Sequence, residues 1–248
     1  MPRRDVYDRV MDTFNRFDGV RVAITGGTSG LGLALVDELH RLGARVAFVA
    51  RTAERVNHVA REHPGAAGIV GDVSRKDDIY PIALQVTGNL GGLDVLVNNA
   101  SSLGAVPLAP LADTDCEALE LALATNLFGP FRLTKALLGA LASSARQGRG
   151  GVVVNISSDA AVNAYPQWGA YGASKAALAH LTRIWNEELA GEGIHLLSFD
   201  PGDMDTPLHA LAIPDADPAA LKRPETSARE LVDVIAAALA RETAQVVT

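Results

Sequence analysis

The sequence predicts a single-domain α/β protein built on a doubly wound parallel sheet with helices on both faces. Short apolar runs rich in β-branched residues recur along the chain, and longer stretches with apolar residues at helical spacing lie between them. Strands that are apolar along their whole length are typical of parallel sheets covered on both faces. The right-handed crossover rule then makes a doubly wound sheet the natural topology. A chain of 248 residues is long enough to form one such domain.

The elements follow from these patterns in chain order. The first strand is predicted at 20–25 and runs into a glycine-rich turn. The segment 31–42 has apolar residues at helical spacing and ends before Gly43, which occupies a helix C-cap position. The other predicted strands are 45–50, 67–70, 93–97, 152–156 and 194–199. The other predicted helices are 53–62, 75–89, 115–125, 130–145, 170–190 and 225–241.

Two segments flank or interrupt this regular pattern. Residues 1–19 precede the first strand, and the spacing of Val6, Val10, Phe14 and Phe17 predicts a short N-terminal helix. That helix packs either on its own subunit or against a partner subunit. The remaining domain is 20–248, and within it five prolines punctuate 201–224. A proline-rich insertion of this size favours a functional lid, at about 203–224, over a linker.

Charge and composition exclude several classes of protein. The chain has 22 basic and 29 acidic residues, a net charge of −7, and no basic block, which argues against nucleic-acid binding. The single cysteine, Cys116, excludes an intramolecular disulfide and a cysteine-rich zinc site. The six histidines are scattered without an H-E-x-x-H pair, so we predict no metal site. No apolar run reaches the length of a membrane span and no secretory signal is present, so we expect a cytoplasmic protein without membrane contact.

A glycine-rich turn follows the first strand and opens the first long helix. Glycines permit a tight turn and close approach of a pyrophosphate, and the N-terminus of the following helix offers unpaired N–H groups to an anion. The turn therefore predicts a dinucleotide site. Its candidate residues are Gly26, Thr28, Ser29, Gly30, Leu31 and Gly32.

A second motif lies at the end of the predicted strand 152–156. Ser157 and Ser158 follow that strand, Tyr171 comes thirteen residues after Ser158, and Lys175 comes four residues after Tyr171. Positions four apart share one face of a helix, so the phenol and the ammonium point the same way. Open parallel sheets bind ligands at the carboxyl ends of their strands, which is where the serines lie.

Taken together and in this order, the motifs resemble the short-chain dehydrogenase/reductase family. The glycine turn has the spacing T-G-x-x-x-G-x-G, and the resemblance covers nearly the whole chain from residue 20 onward. The other matching motifs are Asn98-Asn99-Ala100, Asn126, Ser158, Tyr171, Lys175, Pro201-Gly202 and Thr206. The resemblance implies a Rossmann-like fold, a nicotinamide dinucleotide cofactor and a carbonyl or alcohol substrate.

The resemblance also implies cofactor contacts at matching positions. Asp72 should contact the adenine amino group, Asn98 and Ala100 should line the adenosine side of the cleft, and Thr206 should bond the nicotinamide carboxamide. Further cofactor contacts are expected at Val73, Tyr171, Lys175, Pro201 and Gly202. Ser101 departs from the family, which more often has glycine there.

The end of the second strand bears on cofactor choice. NAD-preferring relatives place an acidic residue there to bond the ribose hydroxyls. Here Ala50 holds that position and Arg51 follows, so Arg51, aided by Thr52 and Ser29, can bind a 2′-phosphate. We predict NADP(H) over NAD(H); the alternative is that Arg51 is only a solvated charge at a strand end.

The residue types at the second motif suit ketone reduction. A phenol has a pKa of about 10, and a nearby ammonium and the positive nicotinamide ring should lower it toward working pH. Tyr171 is therefore the candidate proton donor, Lys175 its activator and Ser158 the group that bonds the substrate oxygen. Ser157 is a competing assignment for the serine. Asn126 matches the position that holds a water in the family's proton relay, or it bonds only helix backbone.

The substrate is expected between Ser158 and the lid. Its candidate contacts are Ser158, Asp159, Ala160, Tyr165, Trp168, Tyr171, Met204 and Leu208. These residues suggest a mainly apolar pocket for a medium-sized ketone, quinone or aromatic carbonyl. The leading hypothesis is an NADPH-dependent carbonyl reductase. The alternatives are an NAD-dependent alcohol dehydrogenase and a catalytically silent dinucleotide-binding regulator.

The resemblance also implies quaternary structure and a C-terminal element. Relatives of this size are homotetramers or homodimers, assembled through the helices around 115–145 and the C-terminal region. Residues 244–248 resemble the opening of the family's seventh strand.

Overall fold

The computed structural model describes residues 17–245, with side chains described for 17–240, and contains a six-stranded parallel sheet flanked by helices. The strand order is β3-β2-β1-β4-β5-β6, which confirms the predicted doubly wound, Rossmann-like fold. The strands in chain order, β1 to β6, are Arg21–Thr25, Arg45–Ala50, Ala67–Val70, Val95–Asn98, Val152–Ile156 and His195–Phe199. Each pairs with its neighbours in parallel register, as Ile24 does with Phe48.

The seven helices predicted after the first strand also lie close to their observed positions, and an eighth helix lies within the predicted lid. In chain order, α1 to α8 are Gly30–Arg41, Ala53–Glu62, Lys76–Leu90, Cys116–Leu123, Gly129–Arg146, Gly169–Leu189, Pro207–Ala212 and Pro224–Gln245. A π-helical segment, Ala124–Phe128, joins α4 to α5. Of the predicted N-terminal helix at 1–19, residues 1–16 lie outside the described residues, and Phe17 is fully buried.

The C-terminal prediction was wrong over the residues that the structure describes. Helix α8 continues to Gln245 instead of ending at 241, so residues 244 and 245 are helical and do not begin a strand. Residues 246–248 lie outside the described part of the chain.

The core forms two layers, one on each face of the sheet. Side chains alternate between the faces along each strand, so Val153 packs into one layer and Val154 into the other. Helices α1 and α8 cover the face that contains Val154, and helices α3 and α5 cover the opposite face. Burial of each large aliphatic side chain contributes about 1.5–3 kcal/mol, so these two layers fix the sheet and the loops at its edges.

The predicted lid, 203–224, is more regular than its prolines suggest. It contains α7 and a short 3₁₀ turn, Pro218–Ala220, and Met204 forms an isolated bridge with Lys222 near its two ends. The Thr206 hydroxyl accepts the His209 N–H at 3.2 Å and so caps α7, while Pro207 occupies the first helical turn. The proline that suggested a loop here begins a helix.

A buried ion pair links the start of β1 to the residue before β4, at the amino ends of the strands. Asp94 lies just before β4 and has a fully buried side chain, which accepts from the Arg21 backbone at 2.8 Å and from the Arg21 guanidinium at 2.5 and 3.0 Å. The Ser144 hydroxyl of α5 also donates to this carboxylate. Burial by itself raises the pKa of Asp94, but the bonds from Arg21 and Ser144 outweigh it, so the pKa of Asp94 lies below its ordinary value.

We expect Asp94→Asn to lower the free energy of unfolding by about 3 kcal/mol at pH 7, because it removes one partner of a buried pair. A carboxyl with a lowered folded-state pKa stabilises the protein above its unfolded pKa and loses that effect as pH falls through the folded value. The difference from the wild type should therefore shrink below pH 4. Urea unfolding at neutral and acid pH measures it, with exposed Asp233→Asn as control. A difference that does not depend on pH would contradict this account.

Candidate active site

The carboxyl ends of the strands open into one cavity of about 610 Å³. Nearly all the residues that the sequence proposed for a site line this cavity. They are Gly26, Thr28, Ser29, Gly30, Leu31, Arg51, Thr52, Asp72, Val73, Ala100, Ser158, Asp159, Ala160, Tyr165, Trp168, Tyr171, Lys175, Pro201, Gly202, Met204, Thr206 and Leu208. Three proposed residues, Gly32, Asn98 and Asn126, do not line it.

The glycine turn fits tightly between β1 and the neighbouring strand ends. Gly26 has a φ of +72°, and a Cβ there would lie 2.9 Å from the Asn99 side chain and 3.0 Å from the Ala100 backbone. At Gly30, with a φ of +52°, a Cβ would meet Thr206 at 3.1 Å. Both positions therefore need glycine. The N-terminus of α1 lines the cavity, and the Ser29 side chain does not bond the backbone N–H groups there.

This arrangement fits a pyrophosphate. The first N–H groups of a twelve-residue helix have no partner within the helix, and the helix dipole favours negative charge at this end. Because glycine has no side chain, an anion has room to approach the backbone of the turn.

Gly32 and Asn98 make structural contacts beside the cavity, and the cofactor contacts expected of them stay predictions. A Cβ on Gly32 would lie 2.1 Å from the Gly26 carbonyl oxygen, so this glycine lets α1 pack against the turn. The Asn98 amide donates to Thr134 Oγ1 at 3.2 Å and to Asn155 Oδ1 at 2.8 Å, and the side chain is buried in the sheet. Its neighbour Asn99 lines the cavity, because consecutive residues point to opposite sides of a strand.

Asn99 also links the ends of β1 and β4 through hydrogen bonds. Thr25 Oγ1 accepts the backbone N–H groups of Asn99 and Ala100, both at 3.0 Å, and the Asn99 amide donates back to the Thr25 carbonyl at 2.9 Å. These bonds join the end of β1 to the residues after β4, at the point where the strand order reverses. Ligands of open α/β sheets bind at such a point.

The end of the cavity at β2 and β3 is polar and partly basic. Arg51 and Thr52 follow β2, and Arg55, which the sequence analysis missed, lies one helical turn farther along α2 and also lines the cavity. Neither arginine forms an ion pair with any residue that the structure describes. Asp72 Oδ1 accepts from the Ser74 backbone and hydroxyl at 2.9 and 2.7 Å, which fixes that carboxylate at the cavity wall.

Ser158, Tyr171 and Lys175 converge at the other end of the cavity. Tyr171 and Lys175 lie in the first two turns of α6 and are only 8% and 2% exposed. The Lys175 ammonium donates to the Ile156 carbonyl at 2.7 Å and lies 5.5 Å from the centre of the Tyr171 ring. Trp168 contacts the Tyr171 ring edge-on, with 5.7 Å between the ring centroids. The phenol is thus held between an indole and an ammonium.

The acidities of the two groups are set mainly by burial. Burial raises the pKa of Tyr171, and the hydroxyls of Ser158 and Ser101 act in the opposite direction without cancelling it. Burial lowers the pKa of Lys175 to about 8, and the negative charge of Asp200 acts against that lowering. The expected lowering of the Tyr171 pKa is therefore not produced by the chain's own groups, because the ammonium sits over the ring while burial penalises the phenolate.

The two serines after β5 differ in their surroundings. The Ser157 backbone N–H pairs with the Phe199 carbonyl at 2.7 Å, as a continuation of the sheet. Ser158 Oγ donates to Asp159 at 3.2 Å and accepts the Ala160 N–H at 3.2 Å, and it is the Ser158 hydroxyl that acts on the Tyr171 phenol. The geometry favours Ser158 over Ser157 for the role proposed from the sequence.

Asn126 is fully buried in the π-helical segment, and its amide makes four hydrogen bonds. Its oxygen accepts from the Ser102 backbone at 2.8 Å and the Ser101 hydroxyl at 3.2 Å, while its nitrogen donates to the Ser102 carbonyl and to Ser174 Oγ, each at 2.8 Å. These four bonds occupy the donors and acceptors of the side-chain amide, and the expectation that the Asn126 position holds a water stays a prediction. Asn126 fixes the segment that carries Ser101 to the wall of the cavity.

The far end of the cavity contains further residues that the sequence analysis did not propose. They are Ser101, Leu103, Asp200, Asp203, His209, Leu211, Ala212 and Ile213. Asp200 and Asp203 flank Pro201-Gly202 at the end of β6, and this adjacency to a matched motif could have identified them. The residues from His209 onward come from α7 and its end, so finding them required the fold of the lid.

The described residues, 17–245, contain no group of three His, Cys, Asp or Glu side chains that could hold a metal ion. None of the helices within that range combines the length and apolar character needed to cross a membrane.

Comparison with known proteins places these features in a family. The family model described as short chain dehydrogenase matches residues 21–216. The chain is 30% identical to L-xylulose reductase of Bos taurus over 82% of this chain and 80% of that protein. It is 35% identical to 2-(R)-hydroxypropyl-CoM dehydrogenase of Xanthobacter autotrophicus over 76% of each chain.

Solved structures agree with this assignment. A 3-ketoacyl-(acyl-carrier-protein) reductase from Brucella melitensis, in complex with NADH, superimposes with a TM-score of 0.82 at 25% identity, over 88% of this chain and 91% of that one. A short-chain type dehydrogenase/reductase from Mycobacterium marinum gives a TM-score of 0.79 at 32% identity over 93% of both chains. The chain therefore belongs to the short-chain dehydrogenase/reductase family of oxidoreductases that act on alcohols and carbonyls.

Proposed function

We propose that this chain is an NADPH-dependent carbonyl reductase that converts a ketone to an alcohol, with Tyr171 as the proton donor. The proposal rests on one observation: Ser158, Tyr171 and Lys175 converge in the same cavity that the glycine turn lines. A silent dinucleotide-binding protein would have no need of a buried phenol and ammonium at this position. The polar end of the cavity would hold the adenosine and phosphates, with the pyrophosphate at the open N-terminus of α1. When bound, the nicotinamide supplies the hydride.

Side chains of the protein would donate the proton and stabilise the negative charge that develops on the substrate oxygen. Tyr171 Oη donates its proton to the carbonyl oxygen of the substrate. A phenol is already protonated at neutral pH and burial raises the pKa of Tyr171 further, so Tyr171 carries the proton that reduction requires. Ser158 Oγ donates a hydrogen bond to the same oxygen as negative charge develops there.

Lys175 would stabilise the phenolate left after proton transfer. Its pKa of about 8 keeps it mostly protonated at pH 7, and its bond to the Ile156 carbonyl holds the ammonium beneath the Tyr171 ring. Asn126 is a positioning residue, which keeps Ser101 beside the phenol through its bonds to the Ser101 hydroxyl, the Ser102 backbone and the Ser174 hydroxyl.

Replacing the phenol tests the proposal directly. Tyr171→Phe should lower kcat/KM for ketone reduction by about 10²–10⁴-fold, since general-acid catalysis contributes about that much. NADPH binding, measured by fluorescence, should remain because the ring is retained. Tyr80→Phe, at an exposed tyrosine of α3, is the matched control and should behave as wild type. Undiminished turnover by Tyr171→Phe would overturn the assignment.

The proposed preference for NADPH is supported by two arginines. Arg51 and Arg55 line the cavity at the end of β2, with Thr52 between them at the start of α2. Neither is paired with a carboxylate of the described chain, so both guanidinium groups are available to a 2′-phosphate.

Arg51→Ala and Arg55→Ala should each raise the KM for NADPH by about tenfold or more, since a hydrogen bond to a charged group contributes about 1.5–3 kcal/mol. The KM for NADH should change little, because NADH has no 2′-phosphate. Arg61→Ala, on the same helix but outside the cavity, is the control. Steady-state kinetics with both cofactors measures the effect, and a wild-type preference for NADH would refute the proposal.

We also propose that the segment 203–224 acts as a substrate lid. It contributes Met204 and Leu208 to the cavity, opposite Trp168 and Tyr165 from the segment after β5. These side chains give the substrate end apolar walls that suit a medium-sized ketone.

Assembly into a homodimer or homotetramer is the proposal for quaternary structure. Leu121, Phe128 and Ile184 are 43–44% exposed on α4, the π-helical segment and α6, near the stacked rings of Phe131 and Trp185. Light scattering should give two or four times 26.0 kDa, and Phe128→Asp should reduce that mass. A wild-type monomer at micromolar concentration would contradict this proposal.

A further inference from the structure

We propose that the substrate end of the cavity selects carbonyl compounds that carry hydroxyl or ammonium groups, and that Asp159 is the residue that rejects anionic substrates. This inference rests on the proposed function, which places the reacting carbonyl beside Ser158 and Tyr171. It goes further, because it assigns the charge and the hydrogen-bonding character of the rest of the substrate.

Asp159 lies next to the reacting groups. It directly follows Ser158 and begins a short 3₁₀ turn at the end of β5. Its Oδ1 accepts from Ser158 Oγ at 3.2 Å, and its Oδ2 accepts from the Tyr165 hydroxyl at 2.6 Å. A carboxylate offers about four lone-pair sites, so these two bonds leave acceptor capacity on the side that lines the cavity.

Two other carboxylates share this end of the cavity. Asp200 and Asp203 both line it, and neither they nor Asp159 forms an ion pair with a described residue. The charges of Asp159 and Asp200 reach the reacting phenol, since both contribute to raising the pKa of Tyr171. The charge of Asp203 likewise acts on Tyr165. The same negative charges would repel an anionic group on the substrate.

The basic residues of the cavity offset these negative charges only in part, since the charge of Asp200 acts on Lys175 while Asp159 and Asp203 form no ion pair with a described residue. Lys175 is directed to the Ile156 carbonyl beneath Tyr171. Arg51 and Arg55 lie at the end of β2, which three strand spacings separate from β5. That separation is roughly 14 Å at about 4.8 Å per strand, beyond the Debye length of about 8 Å at physiological salt.

His209 adds a polar side chain to the same end of the cavity. Nδ1 of His209 is buried with no hydrogen-bond partner among the described residues, and His209 lines the same cavity from α7. The predicted apolar walls are present, but the polar groups between them are mainly acceptors. The matching class is a hydroxyketone or aminoketone, and keto acids and phosphorylated ketones are excluded.

A matched substrate set tests the inference. Acetophenones that carry a para aminomethyl, hydroxymethyl or carboxylate group share the reacting carbonyl and differ in charge. For the wild type with NADPH, kcat/KM should be at least tenfold higher for the aminomethyl and hydroxymethyl compounds than for the carboxylate. Calorimetry with the same compounds should give a dissociation constant at least tenfold weaker for the carboxylate.

The variant Asp159→Asn identifies the residue responsible. It keeps an oxygen that can accept from Tyr165 and removes the charge, so the aminomethyl-to-carboxylate ratio should fall at least tenfold in both binding and turnover. Exposed Asp113→Asn, which lies outside the cavity, removes one charge as a control and should keep the wild-type ratio. The melting temperature of each variant checks its fold.

The outcomes separate the two proposals. Equal binding of the three compounds by the wild type, or an unchanged ratio in Asp159→Asn, overturns the charge selection even if all three are reduced. Absence of turnover with both NADPH and NADH would refute the reductase activity, while the binding ratios would still decide whether Asp159 selects by charge.

Discussion

Parallel strands end at one edge of a sheet, and the site depends on this constraint. Six loops from distant parts of the chain begin at that edge, and each contributes residues to one cavity. The strand order reverses between β1 and β4, where the Thr25 hydroxyl accepts the N–H groups of Asn99 and Ala100. Because the two buried layers hold the strands, these loops start from fixed positions and the cavity is largely formed by the fold itself.

Burial is the second physical constraint, and it acts oppositely on the two titrating groups at the site. It raises the pKa of Tyr171 and lowers that of Lys175, so the neutral phenol and the neutral amine are both favoured relative to water. The charged residues nearby modify this balance. Asp200 helps keep a charge on Lys175, while Asp159 and Asp200 together oppose the phenolate. With its pKa raised in this way, Tyr171 is protonated before a substrate binds. This is the protonation state that the proposed proton donor of a reductase needs.

The cavity is also electrostatically divided. Arginines stand at the end where an anionic cofactor would place its phosphates, and carboxylates stand at the end where the substrate would enter. In the reductase proposal this division would orient the anionic dinucleotide and exclude anionic ketones from the reacting end. The same three strand spacings that separate the two ends keep their fields from cancelling.

The sequence by itself determined the secondary structure and the residues that approach the site. Strand bounds at 45–50, 67–70 and 152–156 and the helix at 53–62 agree with the structure, because apolar periodicity and glycine positions are local properties of the chain. The spacing of Tyr171 and Lys175 is likewise local, since positions four apart on a helix share a face. The glycine turn is determined in the same way, by the backbone freedom that its positive φ angles require.

Tertiary structure alone decided which side chains face the cavity and how acidic they are. Asn98 and Asn99 are adjacent in sequence, yet only Asn99 lines the cavity, because alternation along β4 turns Asn98 toward Thr134 and Asn155. The four partners of Asn126, the helix within the lid and the burial that raises the pKa of Tyr171 all arise from elements far apart in the chain. Local sequence patterns specify a residue's helix or strand, but its partners and its solvation exist only once distant segments have packed together.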